Sequence, residues 1–217
     1  MAITTLVLGF TGEGKSYSIK NLNPEDTGII QINSKPLPFR NNQDFAKRIR
    51  VSCDFMDIQR ALLQAKSSVI VIDDFQYLMT NEQLRIAIEN LRGDAVFAHY
   101  RQLAYKAWSV LNCAIHQVAP SKRVYILSHL DEENGRQKMR TIGKMFDNIV
   151  IPEAMVTTVL QTKIQDGQNY FQTKNNGFNI VKTPEGLFDL DLIPNDLEFV
   201  DSAICEYYGI PKAPPRQ

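Results

Sequence analysis

Four apolar runs of strand length stand out in the pattern of hydrophobic and polar positions: 3–8 (ITTLVL), 28–33 (GIIQIN), 69–74 (VIVIDD) and 123–129 (RVYILSH). The third is continuously aliphatic up to two carboxylates, the pattern of a strand buried on both faces of a parallel sheet. Between the runs the period changes. Residues 15–22 predict a short helix stopped by Asn23-Pro24, and Ser34-Lys35-Pro36 with Pro38 forces an extended loop. Asp54 is placed to cap a helical face made by Phe55, Met56, Ile58, Ala61, Leu62 and Ala65. Helices are expected over 81–91 and 95–118, joined at Arg92-Gly93-Asp94, the second with a core-facing stripe of Phe97, Leu103, Trp108, Leu111 and Ile115. Residues 130–144 show neither period and read as a loop. Short alternating strands follow at 155–163, 170–173 and 178–182, separated by turns at Asp166-Gly167 and Asn175-Asn176-Gly177. A final helix over 196–208 is stopped by Gly209, and 211–217 reads as a frayed tail. The order predicts an α/β fold in one domain over 1–210, with a mostly parallel central sheet flanked by helices and antiparallel strands at its C-terminal end.

Chemistry enters at the end of the first run. Gly9-Phe10-Thr11-Gly12-Glu13-Gly14-Lys15-Ser16 matches the P-loop pattern G-x-x-x-x-G-K-[ST] at every fixed position, directly behind a strand and ahead of a helix. Glycines let successive backbone N–H groups point at one cluster of phosphate oxygens, Lys15 adds a point charge, and Ser16 places a hydroxyl for Mg²⁺. The nucleotide-binding set is Gly9, Thr11, Gly12, Glu13, Gly14, Lys15, Ser16 and Tyr17; the competing reading is a glycine-rich turn that binds nothing. Asp73, ending the aliphatic strand, is the matching carboxylate of a Walker B element, so the metal set is Ser16 and Asp73. Asp74 either orients the attacking water or caps the next segment. Ser128 and His129, ending the fourth strand, would sit beside a terminal phosphate in such a sheet. His99 and His116 read as ordinary helix residues, because neither has a ligand partner four residues on.

Composition narrows the partners. The 217 residues carry 24 basic and 24 acidic side chains, so no net charge draws the chain to nucleic acid, and any such contact must come from a local patch. The stretch 136–144, with Arg136, Lys138, Arg140 and Lys144, is the clearest basic patch; it is either a solvated loop or a contact for DNA or a neighbour's nucleotide. Cys53, Cys113 and Cys205 are too few and scattered for a disulfide framework or a zinc site, which favours a reducing, cytoplasmic setting. No apolar run approaches the ~20 residues that cross a bilayer, so no membrane association is expected.

In sequence, P-loop, Asp-ended strand, long helix, polar-ended strand, basic stretch and late hairpins resemble the RecA-like core. More narrowly they are similar to compact phage-encoded RecA-like P-loop ATPases, AAA-domain nucleotide-binding proteins that include single-strand annealing recombinases. The residues that carry the likeness are those of 9–16, 68–74, 125–129, and 169–173 through 182–188. The resemblance implies ATP and Mg²⁺ as cofactors, hydrolysis coupled to single-stranded DNA, and a homo-oligomeric ring or filament with ATP between subunits. It implies Ser128 and His129 as sensors of the terminal phosphate and 136–144 as a loop facing DNA. Lys174 and Lys182 become candidates for a cationic finger on a neighbour's phosphates, against a plain surface-lysine role for each. One departure stands. Where such enzymes carry a glutamate at the end of the second strand, this one ends Gln31-Ile32-Asn33-Ser34, so Asp74 or Glu13 activates water, or turnover is slow and ATP acts as an assembly switch. The catalytic set is then Lys15, Asp74, Ser128, His129 and Lys182. A nucleoside or nucleotide kinase is the alternative; a GTPase is disfavoured by the lack of an Asn-Lys-x-Asp motif.

Overall fold

The computed structural model describes residues 1–87 and 91–212. Among the described residues nine strands form the sheet: β1 (Ile3–Gly9), β2 (Thr27–Gln31), β3 (Ile49–Val51), β4 (Val69–Asp73), β5 (Arg123–Glu133), β6 (Arg136–Met139), β7 (Thr158–Gln165), β8 (Gln168–Gln172) and β9 (Leu192–Pro194). Their order is β3-β2-β4-β5-β1-β7-β8-β9, with β6 paired to β5 alone. All pairings from β3 to β7 are parallel, and those of β7 with β8, β8 with β9 and β5 with β6 are antiparallel. The fold is thus α/β with a mostly parallel mixed sheet flanked by helices, an arrangement common to Rossmann-type and RecA-like folds and specific to neither.

Helices α1 (Phe55–Gln64), α2 (Gln76–Ala87), α3 (Asp94–Asn112), α4 (Lys144–Asp147), α5 (Pro152–Met155) and α6 (Leu197–Tyr208) complete the architecture. Side chains alternate across the central strands because a strand repeats every two residues. Leu6, Leu8, Ile70, Ile72, Val124 and Ile126 pack with α1, α2 and α3 on one face. Val7, Val69, Val71, Tyr125, Leu127 and Leu160 pack on the other with α6 and the turn after the P-loop. Both faces are covered, which is why the runs read as continuously apolar.

Several expectations are corrected. Residues 130–139 are no loop: β5 runs on to Glu133, and Asn134-Gly135, both at positive φ (55° and 73°), turn it back as β6. That is the backbone of a tight hairpin turn, and its charged strands pair Asp131 with Lys138 and Glu133 with Arg136. Residues 178–182 form no strand; only Lys182 bridges Val159, while the asparagines of 175–179 bond to the loop's own backbone. The strand expected at 155–163 begins at Thr158, behind α5. The helix expected at 81–91 starts earlier, at Gln76, and its part over 88–90, like 213–217 of the expected tail, lies outside the described residues. Phe97 is exposed rather than core-facing, because it shares an outer stripe with Arg101 and Tyr105 while Leu103, Ala107, Val110 and Leu111 face inward. The segment after the P-loop is a six-residue 3₁₀ turn, Ser16–Asn21, rather than an α-helix, with the Ser18 hydroxyl bonded back to the Lys15 carbonyl. Asp54 does cap α1, accepting from the Asp57 amide at 2.7 Å.

The most deeply buried polar contact lies at the start of β5. Arg123 (1% exposed) makes two parallel hydrogen bonds of 2.9 Å to Asp201 on α6, and the Tyr125 hydroxyl donates to the same carboxylate at 2.7 Å. Asp201→Ala would strand a buried guanidinium, a change that costs about 3–5 kcal/mol. Tyr125→Phe removes one hydrogen bond, worth about 1 kcal/mol. Urea denaturation of the two variants is expected to rank them in that order.

Candidate phosphate-binding site

Strand β5 lies between β1 and β4, so the C-terminal ends of these three strands meet at one edge, where open parallel sheets bind ligands. Register puts Gly9 beside His129, and Gln31 beside Asp73. A cavity of about 350 Å³ opens there, lined by Thr11, Gly12, Gly14, Lys15, Ser16, Tyr17, Lys35, Pro38, Asp74, His129 and Asn169.

The loop is shaped by close approach. A Cβ on Gly9 would lie 1.7 Å from the Thr162 hydroxyl of β7, and one on Gly14, at φ 85°, 2.7 Å from the Asn169 amide nitrogen. Glu13 accepts from the Phe10 amide and from Thr162, both at 2.7 Å, and so ties the loop to β7. That engagement turns Glu13 toward the loop's own start, whereas Asp74 lines the cavity. The Lys15 ammonium spans the loop to the Gly9 and Phe10 carbonyls, at 2.8 and 2.7 Å. Burial lowers its pKa to about 8 against the opposing pull of Glu13, Asp74 and Asp73. A phosphate beside it would supply the missing counter-charge.

Ser16 donates to both oxygens of Asp73, at 2.9 and 3.0 Å. Asp73 is 1% exposed, and its pKa is raised first by burial and then by the charge of Asp74, with Lys35, Ser16 and Lys15 opposing. A desolvated carboxylate beside a hydroxyl, with a second carboxylate adjacent, fits a hard dication. Mg²⁺ in particular takes one or two carboxylates and fills its shell with water and phosphate oxygens. No cluster of three or more His, Cys, Asp or Glu suited to a metal occurs among the described residues, so phosphate oxygens would have to complete this one.

Asp74 sits in the left-handed region, φ 65°, tolerated better by Asp than by most residues. It is buried, pairs with Lys35 at 2.5 Å, and lies 3.9 Å from His129 Nε2. Among the described residues no backbone amide bonds to its side chain; the Tyr77 amide bonds to its backbone carbonyl. His129 lines the cavity, with Nδ1 3.4 Å from the Thr11 hydroxyl. Burial first, then the Lys15 charge, lowers its pKa to about 4. Ser128 is brought to the same edge, but its hydroxyl faces Gln76, 3.3 Å away, rather than the cavity. Lys182 does not line the cavity: it bridges Val159, partly desolvated, with Glu153 as the charge acting on it. Lys174 donates to the Asp189 carbonyl, at 3.4 Å. On the hairpin, Lys138 is held by Glu133 and Asp147 at 2.7 and 2.9 Å, while Arg136, Arg140 and Lys144 are exposed. Of the cysteines, Cys53 is exposed and the other two buried.

Lys35, Gln76, Thr162, Asn169 and Asn195 had no site role assigned from the sequence, although the extended loop that carries Lys35 was expected near a nucleotide. Gln76 accepts from the Ser128 hydroxyl and the His129 amide and joins α2 to β5. The Asn195 amide is buried against Gly14 with no hydrogen-bond partner among the described residues. Only the prolines around Lys35, which force an extended loop, gave any local signal.

Gly9→Ala forces a Cβ into Thr162, an overpacking that costs about 1–3 kcal/mol. Differential scanning calorimetry is expected to show a melting temperature lower by about 2–12 °C. His129 is expected to stay neutral at pH 7 and to titrate near pH 4 in nitrogen-detected NMR. From its ordinary value of 6.5 down to about 4, the unfolded chain binds a proton that the folded chain refuses, so this group removes stability as pH falls through that window.

No helix among the described residues is long and apolar enough to cross a membrane. In comparisons with known proteins, no family model and no curated protein matches the chain.

Proposed function

We propose that the chain is a Mg²⁺-dependent P-loop ATPase. The observation that carries this reading is the Ser16–Asp73 contact: two groups 57 residues apart, each picked out by its own motif, meet at 2.9 and 3.0 Å beside Lys15. A glycine-rich turn with no ligand has no need of a buried carboxylate held by the hydroxyl that follows its lysine. The phosphate cavity also shares Tyr17 and Pro38 with a second one of about 470 Å³, bordered by Lys20, Asn21, Phe39, Arg40 and Asn41, where a nucleoside would extend.

Mg²⁺ would neutralise phosphate oxygens there, with Ser16 and Asp73 as its protein partners. Lys15 and the loop amides hold the phosphates. Asp74 takes the proton of a water whose oxygen bonds to the terminal phosphorus as the bridging P–O bond breaks, which leaves ADP and phosphate. His129, neutral, presents a ring nitrogen to the same space.

Arg136, Arg140 and Lys144, exposed on the hairpin and just beyond it, support single-stranded DNA as a partner, and a ring or filament of copies would gather such patches from a chain with no net charge. Scattered free cysteines suit a cytoplasmic site of action, in DNA recombination or replication.

Hydrolysis measured with and without single-stranded DNA tests the reading. Lys15→Ala is expected to abolish ATP binding and turnover, and Asp74→Asn to lower kcat about 10²–10⁴-fold while binding persists. Phosphate transfer to a nucleoside, with no response to DNA, would point to a kinase instead.

A further inference from the structure

We propose that Lys35 tells a nucleoside triphosphate from a diphosphate, by moving its ammonium from Asp74 to the terminal phosphate. The inference rests on the nucleotide reading above and adds a residue to that site which no motif contains.

The position of Lys35 is set by backbone pairing. Ile32 donates its amide to the Asp73 carbonyl at 3.2 Å, and the Gln31 side chain donates to the Lys35 carbonyl at 3.1 Å, so the segment after β2 is fastened to the end of β4. This brings Lys35 into the cavity on the side of the two carboxylates, whereas Lys15 belongs to the loop after β1. The two lysines differ in freedom. Lys15 is buried and engaged with its own loop's carbonyls. The Lys35 side chain is 42% exposed, and its ion pair in the cavity is the one with Asp74.

Asp74 is buried next to a second buried carboxylate, an arrangement that is costly unless a cation is close. Lys35 is that cation. Burial lowers its proton affinity, but the hydrogen bond to Asp74 and the charges of Asp73 and Asp74 raise it above the ordinary lysine value, so it is charged throughout. A terminal phosphate entering beside Asp74 brings more negative charge than the carboxylate it competes with. A partly exposed lysine on a fixed backbone can swing to it without any movement of the sheet. The exchange leaves Asp74 without its ammonium only when a third phosphate is present, so the same lysine that reads the triphosphate also exposes the base. A diphosphate, held by the P-loop amides and Lys15, leaves the Lys35–Asp74 pair closed.

The test is equilibrium binding, which does not depend on turnover. Affinities for ADP and for a non-hydrolysable ATP analogue, both with Mg²⁺, are measured by calorimetry for wild type, Lys35→Met, Lys35→Arg and Asp74→Asn. One charge-assisted contact corresponds to about 10–100-fold in affinity. Lys35→Met is expected to weaken the analogue by that factor and leave ADP unchanged, with Lys35→Arg retaining most of the preference. Asp74→Asn, which removes the competing carboxylate, is expected to tighten the analogue, and the added Lys35→Met change to cancel the gain. Equal weakening of both nucleotides, or of neither, by Lys35→Met overturns the assignment while leaving the ATPase reading intact. Wild type that binds neither nucleotide overturns both. Lys35→Met leaves Asp74 buried without its cation and is expected to lower the melting temperature, so a wild-type near-ultraviolet circular dichroism spectrum of the variant at the temperature of the binding measurement separates these results from misfolding.

Discussion

Strand β5 pairs in parallel with β1 on one side and with β4 on the other, and this double pairing spaces every group at the cavity. Neighbouring strands lie ~4.8 Å apart, so inserting one strand separates the phosphate loop from the carboxylates by about two such spacings. The Ser16 side chain spans the remaining gap to Asp73. Because both faces of these strands are packed, register cannot slip without turning apolar side chains toward the wrong layer. The geometry of the site is therefore a by-product of burying Leu6, Val7, Val71, Ile72, Tyr125 and Ile126. On the far side β7 closes the arrangement, with Thr162 filling the space that any side chain at Gly9 would need and holding Glu13 in place.

Charge at the cavity is compensated pair by pair and incompletely, although the molecule as a whole is neutral. Glu13, Asp73 and Asp74 face Lys15 and Lys35 within a small volume, and His129 remains neutral because burial and the Lys15 charge outweigh the attraction of Asp74. Each buried group thus leans on another, and Asp73 is compensated only in part, its proton affinity raised by burial and Asp74 against the pull of Lys35, Ser16 and Lys15. Such under-compensated carboxylates gather at functional sites more often than in ordinary cores. Asp74 adds a backbone signal of the same kind, since a non-glycine residue at φ 65° persists only where its surroundings hold it.

How much of this was legible depended on how local each feature is. The strands at β1, β2, β4 and β5 were readable because parallel burial leaves a continuous aliphatic run, and the P-loop and Asp73 because their spacing is fixed by chemistry. The β5–β6 hairpin was missed although Asn134-Gly135 is a strong turn signal, since Asp131, Glu132, Glu133, Arg136 and Lys138 give strands with no apolar face to alternate. β3 and β9, three residues each, are held by their neighbours and have no pattern of their own. Within the site, Lys35, Thr162, Asn169 and Asn195 arrive from strands and loops whose closeness to residues 9–16 is made only by tertiary pairing. Ser128 shows the converse: the right position in a strand does not determine which way a hydroxyl turns, and Gln76 captured it.

The Arg123–Asp201 pair has a consequence for how the chain is made. Its two ends are 78 residues apart, so the guanidinium leaves the ribosome well before its carboxylate. At roughly 5–20 residues per second that interval is about 4–16 s. During it the start of β5 has no partner for its charge, and Gly9 has no β7 to lean on until residue 162 has followed. In this window the α1–α3 face of the central strands already has its cover, while Val7, Val71, Tyr125 and Leu127 on the opposite face wait for α6.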